Sequence, residues 1–219
     1  RNLQAIGIHR DGGLADYVIV PQKQAFPLPT SLDPAFGAFC EPLACCIHGT
    51  DVAQIQPGST VLVLGGGVIG LLTVQLAKLA GANVMLATRN KAKRDLALRL
   101  GATAVIDPAA TDITAEIQSL SHGGADVVME CAGVPETVEQ APKLARPGGR
   151  VVIVGVLAQG LKVQYEPFDL LFREIDIRTS FLNPYTHHRA ADLIANGRIE
   201  IEPLISRRAS LDEVPEIVA

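Results

Sequence analysis

The stretch from Val61 to Gly70, V-L-V-L-G-G-G-V-I-G, constrains the fold of this chain more than any other part. Its first four residues form an apolar run that is too short for a helix and is typical of a strand buried on both faces. Gly65, Gly67 and Gly70 follow at the spacing G-x-G-x-x-G, and the residues through Leu79 carry apolar side chains at helical intervals. The stretch therefore predicts a strand, a tight turn and a helix.

A turn of this kind predicts a dinucleotide site. The backbone N–H groups at a helix N-terminus bind a pyrophosphate, and the helix dipole favours the negative charge there. We expect Gly65 to make the turn, Gly67 to let the phosphates approach the backbone and Gly70 to let helix and strand pack closely. Val68 and Ile69 lie between these glycines and belong to the predicted site. The motif alone is as often structural as functional, so the surrounding sequence has to support it.

From Gly58 onward, apolar runs alternate with helical patterns across short turns. This alternation predicts an α/β fold, a six-stranded doubly wound parallel sheet of the Rossmann type. The predicted strands are 60–64, 83–87, 104–107, 127–131, 150–154 and 175–180, and the predicted helices are 68–79, 91–100, 113–120, 134–144 and 168–172.

The two ends of the chain lack this alternation of strands and helices. Residues 14–20 are β-rich and end at a proline, and a proline also interrupts the extended piece 199–205. Asp33-Pro34 predicts a helix start, with a helical stretch through 44–52 and another over 185–196. We expect residues 1–51 to be the remnant of an irregular, mostly β catalytic domain. Residues 52–182 would form the Rossmann domain, and 183–219 would return toward the catalytic domain.

The composition limits the classes of binding partner that are expected. The 219 residues carry a formal charge of −4 and no Trp, which gives no argument for binding nucleic acid or a membrane surface. No apolar run approaches the roughly 20 residues that span a bilayer. The four cysteines form no disulfide pattern, which favours the cytoplasm. An exposed sheet edge predicts a homo-oligomer, a dimer or tetramer. Because the chain begins at Arg1 and stops in an apolar helical pattern, we expect it to be a fragment.

The end of the second strand indicates which dinucleotide binds. An NAD site places a carboxylate about 20 residues beyond the glycines to accept hydrogen bonds from the ribose. This chain has Thr88 and Arg89 there, followed by Lys91, Lys93 and Arg94. A small hydroxyl beside several cations suits a 2′-phosphate, so the sequence favours NADP over NAD. The alternative is that these cations form only the solvated first turn of a surface helix.

Several motifs together resemble the zinc-dependent medium-chain dehydrogenase/reductase family, in particular its sorbitol and threonine dehydrogenase branch. They cover nearly the whole chain and are G-G-L-A-D-Y at 12–17, E-P-L-A at 41–44 with H-G at 48–49, P-G-S-T-V at 57–61, E-C-A-G at 130–133, G-G-R-V-V at 148–152 and N-G-R-I at 196–199. Each is weak singly, and their combination is specific.

The resemblance implies a role for particular residues. Glu41 is implied at the catalytic zinc, as a ligand or through a water, while the remaining ligands of the family lie upstream of this chain. Thr88 falls where NAD-dependent members have their acidic residue. An Arg–Tyr pair of sorbitol dehydrogenases is replaced here by Leu182 and Asn183, which departs from the sorbitol pattern. The residues implied to flank the nicotinamide are Ile69, Val154, Gly155, Val156, Ser180, Phe181 and Leu182.

The sequence therefore predicts an oxidoreductase that transfers a hydride between a nicotinamide cofactor and a secondary alcohol, polyol or ketone, assisted by zinc in the intact enzyme. Two alternatives stay open: a zinc-independent reductase of the same superfamily and a non-catalytic dinucleotide-sensing module. No histidine has a partner at ligand spacing, so structural or surface roles are expected for His9, His48, His122, His187 and His188.

Overall fold

The computed structural model describes residues 4–121 and 123–218. The six strands are β1 (Thr60–Leu64), β2 (Asn83–Ala87), β3 (Ala104–Ile106), β4 (Ala125–Glu130), β5 (Ala145–Ile153) and β6 (Asp176–Thr179). The helices are α1 (Pro34–Gly37), α2 (Cys40–Ala53), α3 (Val68–Leu79), α4 (Lys91–Arg99), α5 (Ile113–Leu120), α6 (Pro135–Leu144), α7 (Pro167–Phe172), α8 (His187–Ala195) and α9 (Val214–Val218). Short 3-10 turns lie at Gln22–Gln24, Glu202–Leu204 and Leu211–Glu213.

All six strands are parallel and form one sheet in the order β3-β2-β1-β4-β5-β6. The strand order reverses between β1 and β4, so the chain leaves a crevice at the carboxyl ends of these two strands. The predicted doubly wound sheet is confirmed, and the bounds of β1, β2, α3 and α5 agree with the sequence. β5 begins five residues earlier than expected because Ala145 pairs with Ala125 before a shift of register.

Alternating side chains of each strand pack into two cores. In β1, Val61 and Val63 belong to the core under α2, α3, α4 and α8, whereas Leu62 and Leu64 belong to the core under α5 and α6. Both faces are covered, and the strand is apolar from Val61 to Leu64, as is typical of parallel sheets.

Side-chain caps fix several helix starts. The carboxylate of Asp33 accepts a hydrogen bond of 2.8 Å from the backbone N–H of Ala35, with Pro34 at the first helical position. Asn90 accepts one of 3.2 Å from the N–H of Lys93 at the start of α4. Such caps bind N–H groups that the helix itself leaves free, so the sequence fixes where these helices begin.

The chain ends differ from expectation. The β-rich segment 14–20 forms no strand within the described residues, and Tyr17 and Ile19 are more than 90% exposed. A strand needs a pairing partner, and the described part of the chain provides none for this segment. The extended piece expected over 199–205 contains the 3-10 turn Glu202–Leu204 instead.

Two helices outside the range predicted for the Rossmann domain pack against it. α2 begins at Cys40 and contacts α3, and α8 packs on α2. Ile199 and Ile201 are buried in the same core, and Gln75 of α3 exchanges hydrogen bonds of 3.1 and 2.7 Å with the backbone of Glu200. The division into residues 1–51, 52–182 and 183–219 stays a prediction. Within the described residues, no helix combines the length and apolar character needed to cross a membrane.

Candidate dinucleotide and metal site

The three motif glycines take three different conformations. Gly65 has φ +106°, a left-handed value that favours glycine, and its N–H donates to the carbonyl of Ala87 at 3.0 Å. Gly67 precedes α3, and a Cβ there would contact nothing within 4 Å. A Cβ at Gly70 would collide with the carbonyl oxygen of Gly65. The turn thus leaves Gly67 and the exposed Val68 open at the helix N-terminus, where a pyrophosphate is expected.

The middle glycine of this turn borders the predicted 2′-phosphate residues. A Cβ at Gly66 would lie 3.0 Å from side-chain atoms of both Thr88 and Lys93. The hydroxyl of Thr88 therefore lies beside the glycine turn, with Lys93 from the first turn of α4 and the exposed Arg89 nearby in the chain. Sequence spacing did not single out Gly66, which stands at a variable position of the motif.

The cations after β2 are not equivalent. Lys91 pairs with Asp95 at 2.7 Å. Arg94 pairs with Asp107 at 2.8 Å and donates to the carbonyl of Thr88 at 2.7 Å, with only 15% of its side chain exposed. Within the described residues, Arg89 and Lys93 form no ion pair. Lys91 and Arg94 are therefore engaged in ion pairs. Arg89 and Lys93 remain as the candidate cations for a phosphate beside Thr88.

A cavity of about 210 Å³ opens at the carboxyl ends of the central strands. All seven residues expected to flank the nicotinamide line it, which brings together side chains from α3, from the end of β5 and from the end of β6. The sequence missed three of its lining residues, Cys45, Cys131 and Ala132. Cys131 and Ala132 follow β4 directly, so their position at a strand end was the signal that could have found them.

The thiols at this cavity are protonated at neutral pH. Burial raises the pKa of Cys45 to about 12, and the charge of Glu41 and a hydrogen bond to it act in the same direction. Burial also raises the pKa of Cys131 to about 12, opposed by a hydrogen bond to Thr73 and assisted by the charge of Glu130. Neutral thiols are poor nucleophiles, so these residues line the cavity as small, weakly polar groups.

Glu130 lies directly behind this cavity, at the end of β4, and none of its surface is exposed. Its Oε1 accepts hydrogen bonds from the N–H groups of Ala132 and Gly133, both at 2.9 Å, and from the hydroxyl of Thr137 at 2.7 Å. Its Oε2 has no hydrogen-bond partner within the described residues. An unsatisfied buried polar atom costs about 1–3 kcal/mol, and no pattern in the sequence indicates this one.

Glu41 occupies the first turn of α2 and is exposed. Its Oε1 accepts hydrogen bonds from Asn183 Nδ2 at 2.7 Å and from Cys45 Sγ at 3.3 Å, and Asn183 Nδ2 also contacts Cys45 Sγ at 3.3 Å. Glu41 Oε2 forms no hydrogen bond within the described residues. The α2 carboxylate is therefore held on one oxygen by the segment that follows β6, and its second oxygen is available to a ligand.

The donor set around Glu41 fits zinc only in part. A carboxylate oxygen is a common zinc ligand, and a structural or catalytic site needs at least three protein ligands. The described residues contain no group of three or more His, Cys, Asp and Glu side chains that would hold a metal ion. The histidines do not gather there: His9 accepts a hydrogen bond from the N–H of Ala5, and His187 stacks on Phe26. His122 lies outside the described residues.

A sequence profile described as "Zinc-binding dehydrogenase" matches residues 68–196, more than half of the chain. The chain belongs to this family. The resemblance to zinc-dependent medium-chain dehydrogenases, stated from its motifs, is thereby confirmed.

Individual relatives agree with the assignment. One solved structure is described as a zinc-binding dehydrogenase from Sinorhizobium meliloti 1021 bound to NADP. It is 61% identical to this chain with a TM-score of 0.94, and the match covers all of this chain and 65% of that chain. Galactitol 1-phosphate 5-dehydrogenase of Escherichia coli K12 is 32% identical over 224 residues, which is 97% of this chain and 64% of that protein. Sorbitol dehydrogenase of Bacillus subtilis is 31% identical over 208 residues, 94% of this chain and 59% of the relative. The chain thus spans about 60% of the length of such relatives.

Proposed function

We propose that this chain is the cofactor-binding part of a nicotinamide-dependent dehydrogenase that oxidises a secondary alcohol or polyol, or reduces the matching ketone. The observation that carries the proposal is the cavity at the strand ends, because it gathers side chains from β4, β5, β6 and α3 beside the glycine turn. In a doubly wound sheet, this edge is where a dinucleotide lies, with its pyrophosphate at the N-terminus of the first helix.

We infer that the cofactor is NADP. Gly66, Thr88 and Lys93 converge on one spot beside the turn, and Arg89 adds a second cation that is free of ion pairs in the described part. The relative from Sinorhizobium meliloti, which was solved with NADP, is 61% identical to this chain. Thr88 leaves room for a 2′-phosphate and does not repel it, whereas a carboxylate at this position would.

Different segments of this chain bind different parts of the cofactor. The glycine turn binds the pyrophosphate, and Thr88 with Arg89 and Lys93 holds the ribose phosphate. Val154 to Val156 and Ser180 to Leu182 would wall the nicotinamide ring, and the chemistry that the ring would supply there is hydride transfer.

Glu41 is the residue we propose for contact with zinc, directly or through a water. Zinc supplies Lewis-acid polarisation of the substrate oxygen, which eases loss of the hydroxyl proton. The hydrogen bond from Asn183 holds Oε1 of Glu41 beside Cys45, which lines the cavity. The other ligands must come from outside the described residues.

The first test is cofactor binding by this chain, measured by calorimetric titration with NADP and NAD. We expect NADP to bind at least tenfold more tightly, and failure to bind either would contradict the proposed function. The second test uses the full-length protein with sugar alcohols and their phosphates, since galactitol 1-phosphate and sorbitol appear in the names of relatives. Turnover separates an enzyme from a dinucleotide-sensing module.

Metal analysis of the full-length protein separates the zinc enzyme from a zinc-independent reductase. We expect Glu41→Ala to lower zinc content and activity together. Unchanged zinc content and activity in this variant would favour the zinc-independent reductase.

We further propose that the enzyme is a cytoplasmic homo-oligomer, a dimer or tetramer. Its four cysteines are free, as is usual in a reducing compartment. β6 is an edge strand, and Phe168, Leu171 and Phe172 of the neighbouring α7 are each at least 70% exposed. Exposed apolar side chains beside an unpaired edge are typical of a self-association surface. Sedimentation of the wild type and of Phe168→Ser tests this proposal. We expect Phe168→Ser to weaken association, and a monomeric wild type would contradict the proposal.

A further inference from the structure

The carboxylate of Glu130 is fully buried. Its three hydrogen-bond donors are neutral groups, and no Lys or Arg of the described residues forms an ion pair with it. A negative charge that is neither paired nor solvated acts over a longer range than a surface charge, because little water screens it.

The Glu130 carboxylate lies next to residues that line the proposed nicotinamide cavity. Ala132 and Gly155 both line that cavity, and both contact the carboxylate: Ala132 donates its N–H to Oε1, and a Cβ at Gly155 would lie 2.6 Å from Oε2. The carboxylate therefore lies against two residues of the cavity wall. The unpartnered Oε2 is on the Gly155 side.

We propose that Glu130 tunes the site electrostatically, so that its buried charge favours the oxidised, positively charged nicotinamide ring over the reduced, neutral ring. This inference rests on the proposed function, since it assumes that the ring lies in this cavity. Glu130 does not touch the ring in this account and acts through space. The backbone carbonyl of Glu130 also accepts from the N–H groups of Val154 and Gly155, both at 2.9 Å, in the segment that follows β5.

The test measures dissociation constants of the chain for NADP⁺, NADPH and 2′,5′-ADP by calorimetric titration. In Glu130→Gln, which keeps an oxygen for the donors and removes the charge, NADP⁺ affinity falls about tenfold relative to NADPH affinity, which corresponds to one charge about 12 Å away at an effective dielectric of about 20. Affinity for 2′,5′-ADP, which lacks the nicotinamide, stays within about twofold. Glu130→Met is a second neutral variant that places no new donor beside Gly155.

Asp126→Asn is the matched control, because it removes one negative charge from the other end of the same strand, where Asp126 pairs with Arg146 at 2.6 Å. Its ratio of NADP⁺ to NADPH affinity is expected to equal that of the wild type. Equal loss of both affinities in the Glu130 variants would assign Glu130 a structural role and overturn the proposal, as would loss of folded protein in both. A wild type that binds neither cofactor nor 2′,5′-ADP would instead contradict the proposed function itself.

Discussion

Asn183 donates a 2.7 Å hydrogen bond from its side-chain amide to Oε1 of Glu41, across 142 positions of sequence. The bond joins the segment after β6 to the first turn of α2, so two segments far apart in the chain meet at the proposed metal-contacting carboxylate. Leu182, immediately before Asn183, has φ +57°, a left-handed value that L residues rarely adopt. Strained backbone of this kind persists where surrounding contacts hold it, and the bond to Glu41 is one such contact.

Asn183→Ala is expected to weaken zinc binding by the full-length protein by roughly tenfold, because partners that orient a ligating carboxylate usually matter to that extent. Competition with a chelator of known affinity measures it. Asn196→Ala serves as the control: its amide donates to the carbonyl of Asp192 at 2.8 Å, at the end of α8. If Asn183→Ala binds zinc as tightly as Asn196→Ala, then Glu41 is oriented by other contacts or does not contact zinc.

Arg89→Ala and Lys93→Ala are each expected to lower NADP affinity about tenfold and to leave NAD affinity within about twofold, since a hydrogen bond to a charged group contributes about 1.5–3 kcal/mol and these side chains are partly solvated. Titration with both cofactors checks this. Lys91→Ala, on the same helical turn but paired with Asp95, is the control and should change neither affinity. Equal losses for NADP and NAD would refute the 2′-phosphate assignment.

Substitution of the motif glycines should separate folding from binding. Gly70→Ala places a Cβ against the Gly65 carbonyl and is expected to lower the free energy of unfolding by about 1–3 kcal/mol or more. Gly67→Ala meets open space, so its stability should change by no more than about 1 kcal/mol while its affinity for NADP falls. Urea denaturation and cofactor titration measure the two effects. Normal NADP binding by Gly67→Ala would exclude close approach of the pyrophosphate at this residue.

Asp176 should give stability a dependence on acid pH. A hydrogen bond from Arg150 lowers the pKa of Asp176 below its ordinary 3.8, with the nearby charges of Arg178 and Arg150 outweighing partial desolvation. The unfolded chain therefore binds this proton at a higher pH than the folded chain, and the stabilisation, present above about pH 4, is lost as pH falls through the folded pKa.

Urea denaturation at pH 7 and pH 3 tests this expectation. Asp176→Asn should be less stable than the wild type at pH 7, by about 1 kcal/mol or less because the pair is partly exposed, and the difference should shrink at pH 3. Asp16→Asn, an exposed carboxylate without an ion pair in the described part, is the control. A difference for Asp176→Asn that does not change between the two pH values would mean that its ion pairs contribute nothing.

The strands and helices of the sheet, and their order, are predictable from local sequence patterns. The run Val61–Leu64 and the glycines after it leave few conformations other than strand, turn and helix, and caps such as Asp33 and Asn90 act within a few residues of chain. These signals are local, because hydrophobic period and backbone restriction are properties of neighbouring residues. The wrong expectation for 14–20 has the same origin: β propensity is local, but a strand forms only when another strand pairs with it.

Which charged side chains are available to a ligand depends on contacts that form in the folded chain. Lys93 and Arg94 are adjacent and alike in sequence, yet Arg94 is bound to Asp107 of the turn after β3 while Lys93 faces Thr88 and the glycine turn. In the sequence, Glu130 is an ordinary polar residue at the end of a strand, but in the fold its Oε2 lies beside Gly155 with no hydrogen-bond partner among the described residues. Contacts of this kind join residues far apart in the chain, so they depend on how the sheet brings its strand ends together rather than on any local pattern.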